Sequence, residues 1–253
     1  MSAAFLLGIG VLGILSGVMI GCIGIGGVIL VPALAYLMGV PIHAAIAAAM
    51  LAFLVSGAIG TLVFASHKSI RWDMAAWLWT GAMPAALAGA LLASAAPGRV
   101  LELLIGLLTA ASGAHSLLPT KEAHAGDDRT PANPTLAVIG AVTGFSSAIT
   151  GTGGPLVLVP ILMWLDMPVL TAIGLSQAIQ LPIAALATAG NAYVGVLDLK
   201  LGLLIAVGLS IGTWAGARIA HAVPRAVLRR IVSVVLVGVG GSILAKLAQQ
   251  AVS

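Results

Sequence analysis

The run Thr150-Gly-Thr-Gly-Gly-Pro155, with Ser146 and Ser147 just before it, concentrates more usable chemistry than any other stretch of this chain. Glycine lets a ligand approach the backbone closely, and Pro155 has no amide hydrogen to donate. A second run, Gly21-Cys-Ile-Gly-Ile-Gly-Gly27, repeats the theme near the N-terminus. Helical pieces beginning near Val28 and Leu156 would aim unpartnered amides, and the positive end of a helix dipole, at whatever fills each break. The chemistry this implies is capture of an anion with little formal positive charge. Gln177 and Gln180 lie three apart, hence on one helical face, and Asn191 follows them. The candidate substrate-binding residues are therefore Gly24, Gly26, Gly27, Ser147, Thr150, Gly151, Thr152, Gly153, Gly154, Gln177, Gln180 and Asn191. Two plainer readings stand beside this one. Small residues also let membrane helices pack closely, and amide side chains also tie helices together.

Other chemistry finds little support. His115, His124 and His221 are scattered without metal-ligand spacing, so no metal, cofactor or catalytic residue is assigned. The glycine runs are no nucleotide fingerprint, which needs a preceding strand and an acidic partner about 20 residues on. Arg99 and Glu102 are spaced to pair at i, i+3, Arg218 to reach the membrane surface, and Cys22 to serve as a small packing residue. The 11 basic residues sit between hydrophobic stretches and read as orientation signals, not as a nucleic-acid patch.

The elements that must position these residues are membrane segments. Of the 253 residues, 60% are hydrophobic and 7% charged, against about 45–50% and about 25% in soluble domains. Only a bilayer suits such a surface. Hydropathy gives eight blocks, at roughly 4–38, 43–66, 74–95, 100–118, 135–165, 169–194, 200–221 and 227–248. The polar stretch 119–134 divides the chain into membrane units 1–118 and 135–253. The halves repeat. Gly26-Gly-Val-Ile-Leu-Val-Pro32 matches Gly154-Pro-Leu-Val-Leu-Val-Pro160 after one shift, at an offset of 128 that aligns Gly27 with Pro155, and Pro41/Pro168, Gly89/Gly216 and Pro97/Pro224 match at 127. Ala49 and Met50 stand opposite Ser176 and Gln177, so hydrogen bonding should come mainly from the second half.

Blocks one and five exceed 30 residues, longer than a straight helix needs to cross about 30 Å of hydrocarbon. Each therefore reads as two helical pieces joined at its glycine run, either a re-entrant hairpin or two short crossings. If each long block turns back, the halves are inverted in the membrane. The basic residues then divide eight against three (Arg99, Lys200 and Lys246) instead of six against five. Cytoplasmic loops are rich in Lys and Arg, which favours the inverted arrangement, with the linker cytoplasmic and both termini across the membrane. The expected fold is an all-α polytopic membrane protein of two inverted repeats.

At these residues the chain resembles a known family. Gly151-Thr-Gly-Gly-Pro-Leu-Val-Leu-Val-Pro160 and Gly24-Ile-Gly-Gly-Val-Ile-Leu-Val-Pro32 are similar to the Gly-x-Gly-Gly-Gly-x-x-x-x-Pro signature of the TauE/SafE permeases, exporters of sulfite and organosulfonates. The first copy departs from it at Ile23 and Ile25, the second at Pro155. The resemblance implies secondary transport of small sulfur-containing anions such as sulfite, sulfoacetate or other sulfonates, in a cell inner (plasma) membrane, by a protein that could form homo-oligomers. The rival readings are a channel for the same anions and a membrane structural or assembly protein.

Overall fold

In a bilayer the backbone must satisfy its own polar groups, and an apolar chain does so by forming helices. The computed structural model describes residues 3–24, 26–117, 131–165 and 167–220, with isolated positions beyond them. Nine helices and no strand occur among these residues: α1 (Ala3–Ile23), α2 (Gly27–Tyr36), α3 (Ile42–Ser66), α4 (Trp72–Ala95), α5 (Gly98–Leu117), α6 (Asn133–Thr150), α7 (Pro155–Trp164), α8 (Val169–Val194) and α9 (Leu199–Ala220). Most of the linker 119–134 and the eighth block, 227–248, lie outside the described residues. Five helices, α1, α3, α4, α8 and α9, are long and apolar enough to cross a membrane. The protein is an all-helical, multi-pass membrane protein.

Prolines and glycines set the boundaries. Pro41 caps the start of α3 with φ −54° and ψ 137°, and Pro168 caps α8 with φ −56° and ψ 134°. Residues in that extended conformation cannot be counted into the helix that follows. The helix starts keep the spacing of the sequence repeat. Ile42 of α3 pairs with Val169 of α8, and Trp72 of α4 with Leu199 of α9, both at the offset of 127. Gly27 of α2 pairs with Pro155 of α7 at the shifted offset of 128.

Two seams of small residues carry the packing. α1 lies along α9 with Gly13 against Gly208, Gly17 against Gly212 and Gly21 against Gly216, in register and therefore parallel. α4 lies along α6 in the same way, Gly81 facing Ala137 and Ala141, and Gly89 facing Phe145 and Ala148. Both helices and lipid are apolar, so burial alone cannot hold such helices together, and close backbone approach supplies the dispersion contact instead. The α1–α9 seam also takes the Cys22 thiol, which is buried and donates to the Gly216 carbonyl at 3.2 Å. α3 packs on α9 and α4 on α8, and α3 meets α8 at the centre. There Gly57 faces Gln180 and Gly60 faces Gln177, a falling register that makes α3 and α8 antiparallel.

The polar periphery differs from expectation in one place. The ion pair among the described residues is Arg71–Asp73, at 3.1 Å, and not Arg99–Glu102. Arg218 places its guanidinium 4.0 Å from the Trp214 ring centroid, a cation–π contact at the end of α9. Asp198 caps α9 by accepting the Leu201 amide at 3.0 Å, and His43 donates from Nε2 to the Ala96 carbonyl at 3.1 Å.

Candidate functional site

The first break begins where α1 runs out at Ile23. Gly24 turns the chain with φ +80°, and its N–H still bonds back to the Ile20 carbonyl at 2.8 Å. Gly26 then lies against the Ser16 carbonyl and Ile20 of α1, so α2 doubles back toward the helix it came from. A side chain at 26 would collide with that backbone. α2 opens without a side-chain cap, which leaves the amides of Gly27 and Val28 without an intrahelical acceptor.

The second break is built with more positive-φ residues. Gly151 ends α6 in the left-handed conformation, φ +68°, with its N–H on the Ser147 carbonyl at 2.9 Å. The Thr152 N–H shares that acceptor at 3.2 Å. Gly153 and Gly154 follow at φ +81° and +105°, which L side chains rarely adopt. Pro155 then opens α7, a position where its missing donor costs nothing. Thr150 donates to the Ser146 carbonyl at 2.7 Å, and the Thr150 and Thr152 hydroxyls meet at 3.0 Å.

The two breaks, one from each half of the sequence, touch. A β-carbon on Gly24 would stand 3.0 Å from Pro155 Cβ and 3.1 Å from Ser176 Oγ. One on Gly27 would strike the Thr152 carbonyl. The junction is buried where α3 crosses α8. Ser147 Oγ, fully buried and without a hydrogen-bond partner, lies 3.8 Å from where a side chain at 154 would begin.

The structure sorts the expected residues. Gly24, Gly27, Ser147, Thr152, Gly153 and Gly154 come together at the junction. Thr150 reaches it through Thr152, whereas Gly26 packs back on α1 and Gly151 against Val31 and Ile46. Gln177 and Gln180 adjoin it, each donating from its amide nitrogen to a helix carbonyl. Gln177 Nε2 donates to the Ile20 carbonyl at 2.8 Å, and Gln180 Nε2 to the Phe53 carbonyl at 3.0 Å and Ser56 Oγ at 3.1 Å. These bonds tie α8 to α1 and α3, the helix-tying role weighed from the sequence. Gln177 Oε1, turned toward Gly60, has no partner. Asn191 stands apart, three turns of α8 beyond Gln180 and so about 16 Å along its axis.

Sequence reading missed Phe53, whose ring lies against both breaks. An apolar residue in an apolar helix carries no local signal. Its separation from Gln180 is nevertheless 127, the offset that relates α3 to α8. The comparisons with known proteins are consistent with this architecture. Residues 9–243 match the model of the family described as Sulfite exporter TauE/SafE. No curated protein and no solved structure matches the chain.

Proposed function

We propose that this chain, which belongs to the TauE/SafE family over residues 9–243, is a secondary carrier for small sulfur-containing anions such as sulfite, sulfoacetate or other sulfonates. The observation that carries the reading is the meeting of two glycine breaks, one from each half, at one buried point. Irregular backbone at membrane depth persists only where it is buried in protein or lines a cavity, and paired breaks mark transporter substrate sites. The amides that open α2 and the unpartnered Ser147 hydroxyl supply neutral donors for an oxyanion.

Inverted repeats account for the helix directions. The evenly offset helix starts, together with the antiparallel course of the corresponding helices α3 and α8, support a two-fold axis in the membrane plane. The bodies that rock about the junction are then not the halves of the sequence. The glycine seams join α1 to α9 and α4 to α6, so each body takes helices from both halves: α1, α3 and α9 in one, α4, α6 and α8 in the other. Alternating access opens the α3–α8 interface first on one side and then on the other.

Orientation follows from charge. The excess of basic residues on one side puts the central linker in the cytoplasm and both termini across the inner membrane. Reporter fusions near Gly126 and at Ser253 are expected to land on opposite sides; the same side for both would refute the inverted arrangement. The transport mode is decided by counterflow in proteoliposomes loaded with sulfite. A carrier speeds uptake of labelled sulfite when unlabelled sulfite is inside, and a rate indifferent to internal sulfite would mean a channel.

A further inference from the structure

Phe53 sits near the middle of α3 with no exposed surface. Its ring lies between the two breaks. A β-carbon on Gly27 would stand 2.9 Å from its Cζ, and one on Gly153 would stand 3.0 Å from its Cδ2. Each break thus presents a glycine to the same ring, and neither glycine could be anything larger without pushing the ring away. The carbonyl of the same residue accepts the Gln180 amide at 3.0 Å. Corresponding positions of the two halves therefore hold the ring and the side chain that ties its helical turn to α8.

An ordinary core aromatic fills the gap left by other side chains. This one fills the space between two stretches of bared backbone, beside the Thr152 carbonyl and the first turn of α2. That is the space in which an anion would meet amides, and an aromatic ring offers an anion no hydrogen-bond donor.

We propose that Phe53 is the occluding residue of the carrier: its ring holds the substrate position in this conformation and must swing out before an anion can reach the junction. This rests on the reading of the breaks as the anion site. The consequence is a competition between ring and substrate. While the ring is in, the site is not competent, so the apparent affinity falls by the fraction of molecules with the ring out. Gln180 fixes the turn from which the ring swings, while rotation about the side-chain bonds of Phe53 needs no change in α3.

The test is binding of sulfite and of methanesulfonate to detergent-purified protein by calorimetry, with melting temperature measured on the same samples. Phe53→Ala is expected to bind about tenfold more tightly than the parent chain even though it melts lower. Phe53→Leu, which keeps more of the packing, shifts affinity in the same direction and covers the case in which the alanine variant does not fold. Met50→Ala, a buried residue on the preceding turn of α3, lowers the melting temperature without tightening binding. If the parent binds, Gly154→Val does not, and neither Phe53 variant binds more tightly than the parent, the ring is packing only. The occlusion is then overturned while the anion site stands. If the folded parent binds neither anion, the anion-site reading fails and takes this inference with it.

Discussion

Gly154→Val is expected to lower sulfite affinity by a factor of about 100 or more while the protein still inserts and keeps its helical content. The reason is backbone, not space. A β-carbon at 154 would sit 3.4 Å from Ile183, 3.6 Å from Ile179 and 3.8 Å from Ser147 Oγ, all ordinary contacts. The conformation, φ +105°, is the obstacle. A β-branched residue held there costs roughly 1–3 kcal/mol, and the chain relieves that by rotating the peptides on either side. Those peptides join Gly153 to the first turn of α7, so the rotation re-aims the groups that would face an anion. Loss of that pre-set geometry explains a fall of about 2.7 kcal/mol in binding, the equivalent of a hundredfold. Gly195 supplies the control. It caps α8 at φ +80° with open space around it, so Gly195→Val carries similar strain away from the junction and should leave binding unchanged. Equal affinities for parent and Gly154→Val would remove the second break from the site.

Gly17→Leu should have the largest effect on stability. A β-carbon there meets the Leu209 carbonyl and comes within 2.9 Å of Gly212 Cα and Thr213 N. All of these are backbone, which cannot swing aside, so α1 and α9 must part. Overpacking of this kind costs about 1–3 kcal/mol or more, and here it also lifts the neighbouring glycine contacts along the seam. The melting temperature of purified protein reads the loss. Gly10→Leu lies on the same helix with nothing within 4 Å of the new β-carbon and should melt within error of the parent. If the two variants melt alike, the seam does not hold α1 in place. Gly144→Leu tests the α4–α6 seam by the same logic, because it meets the Ala82 carbonyl.

Helix positions were readable because they depend on local contrasts. Charged turns, prolines and glycine runs interrupt apolar stretches, so the hydropathy blocks lie within a few residues of α1–α2, α3, α4, α5, α6–α7, α8 and α9. Which helix packs on which was not readable. In a soluble helix the buried face is the apolar one; here lipid and protein neighbours are both apolar, and the sequence shows no face. The one signal left was glycine spacing. Gly89 and Gly216 mark the repeat in the sequence, and in the structure they lie in the two seams. Gly13/Gly140, Gly17/Gly144 and Gly81/Gly208 share the 127 offset and lie in the same seams. Irregular backbone was legible where residue type limits conformation, as at Gly153 and Gly154. The sequence left the choice open where a polar side chain has more than one use: the Gln177 and Gln180 amide nitrogens donate to helix carbonyls, and Asn191 lies about three turns farther along α8.

The pairing of α1 with α9 also sets the order of assembly. Among the described helices α1 is the first to leave the ribosome and its partner the last. Until α9 arrives the glycine face of α1 has no mate and must be held in lipid or by another protein. The α4–α6 seam, by contrast, closes with only α5 and the linker between its two helices. Contacts of long sequence separation form slowly and leave intermediates exposed. Biogenesis should therefore pause with the α4–α6 pair formed and α1 unpartnered, and the α1–α9 seam closes only when α9 arrives.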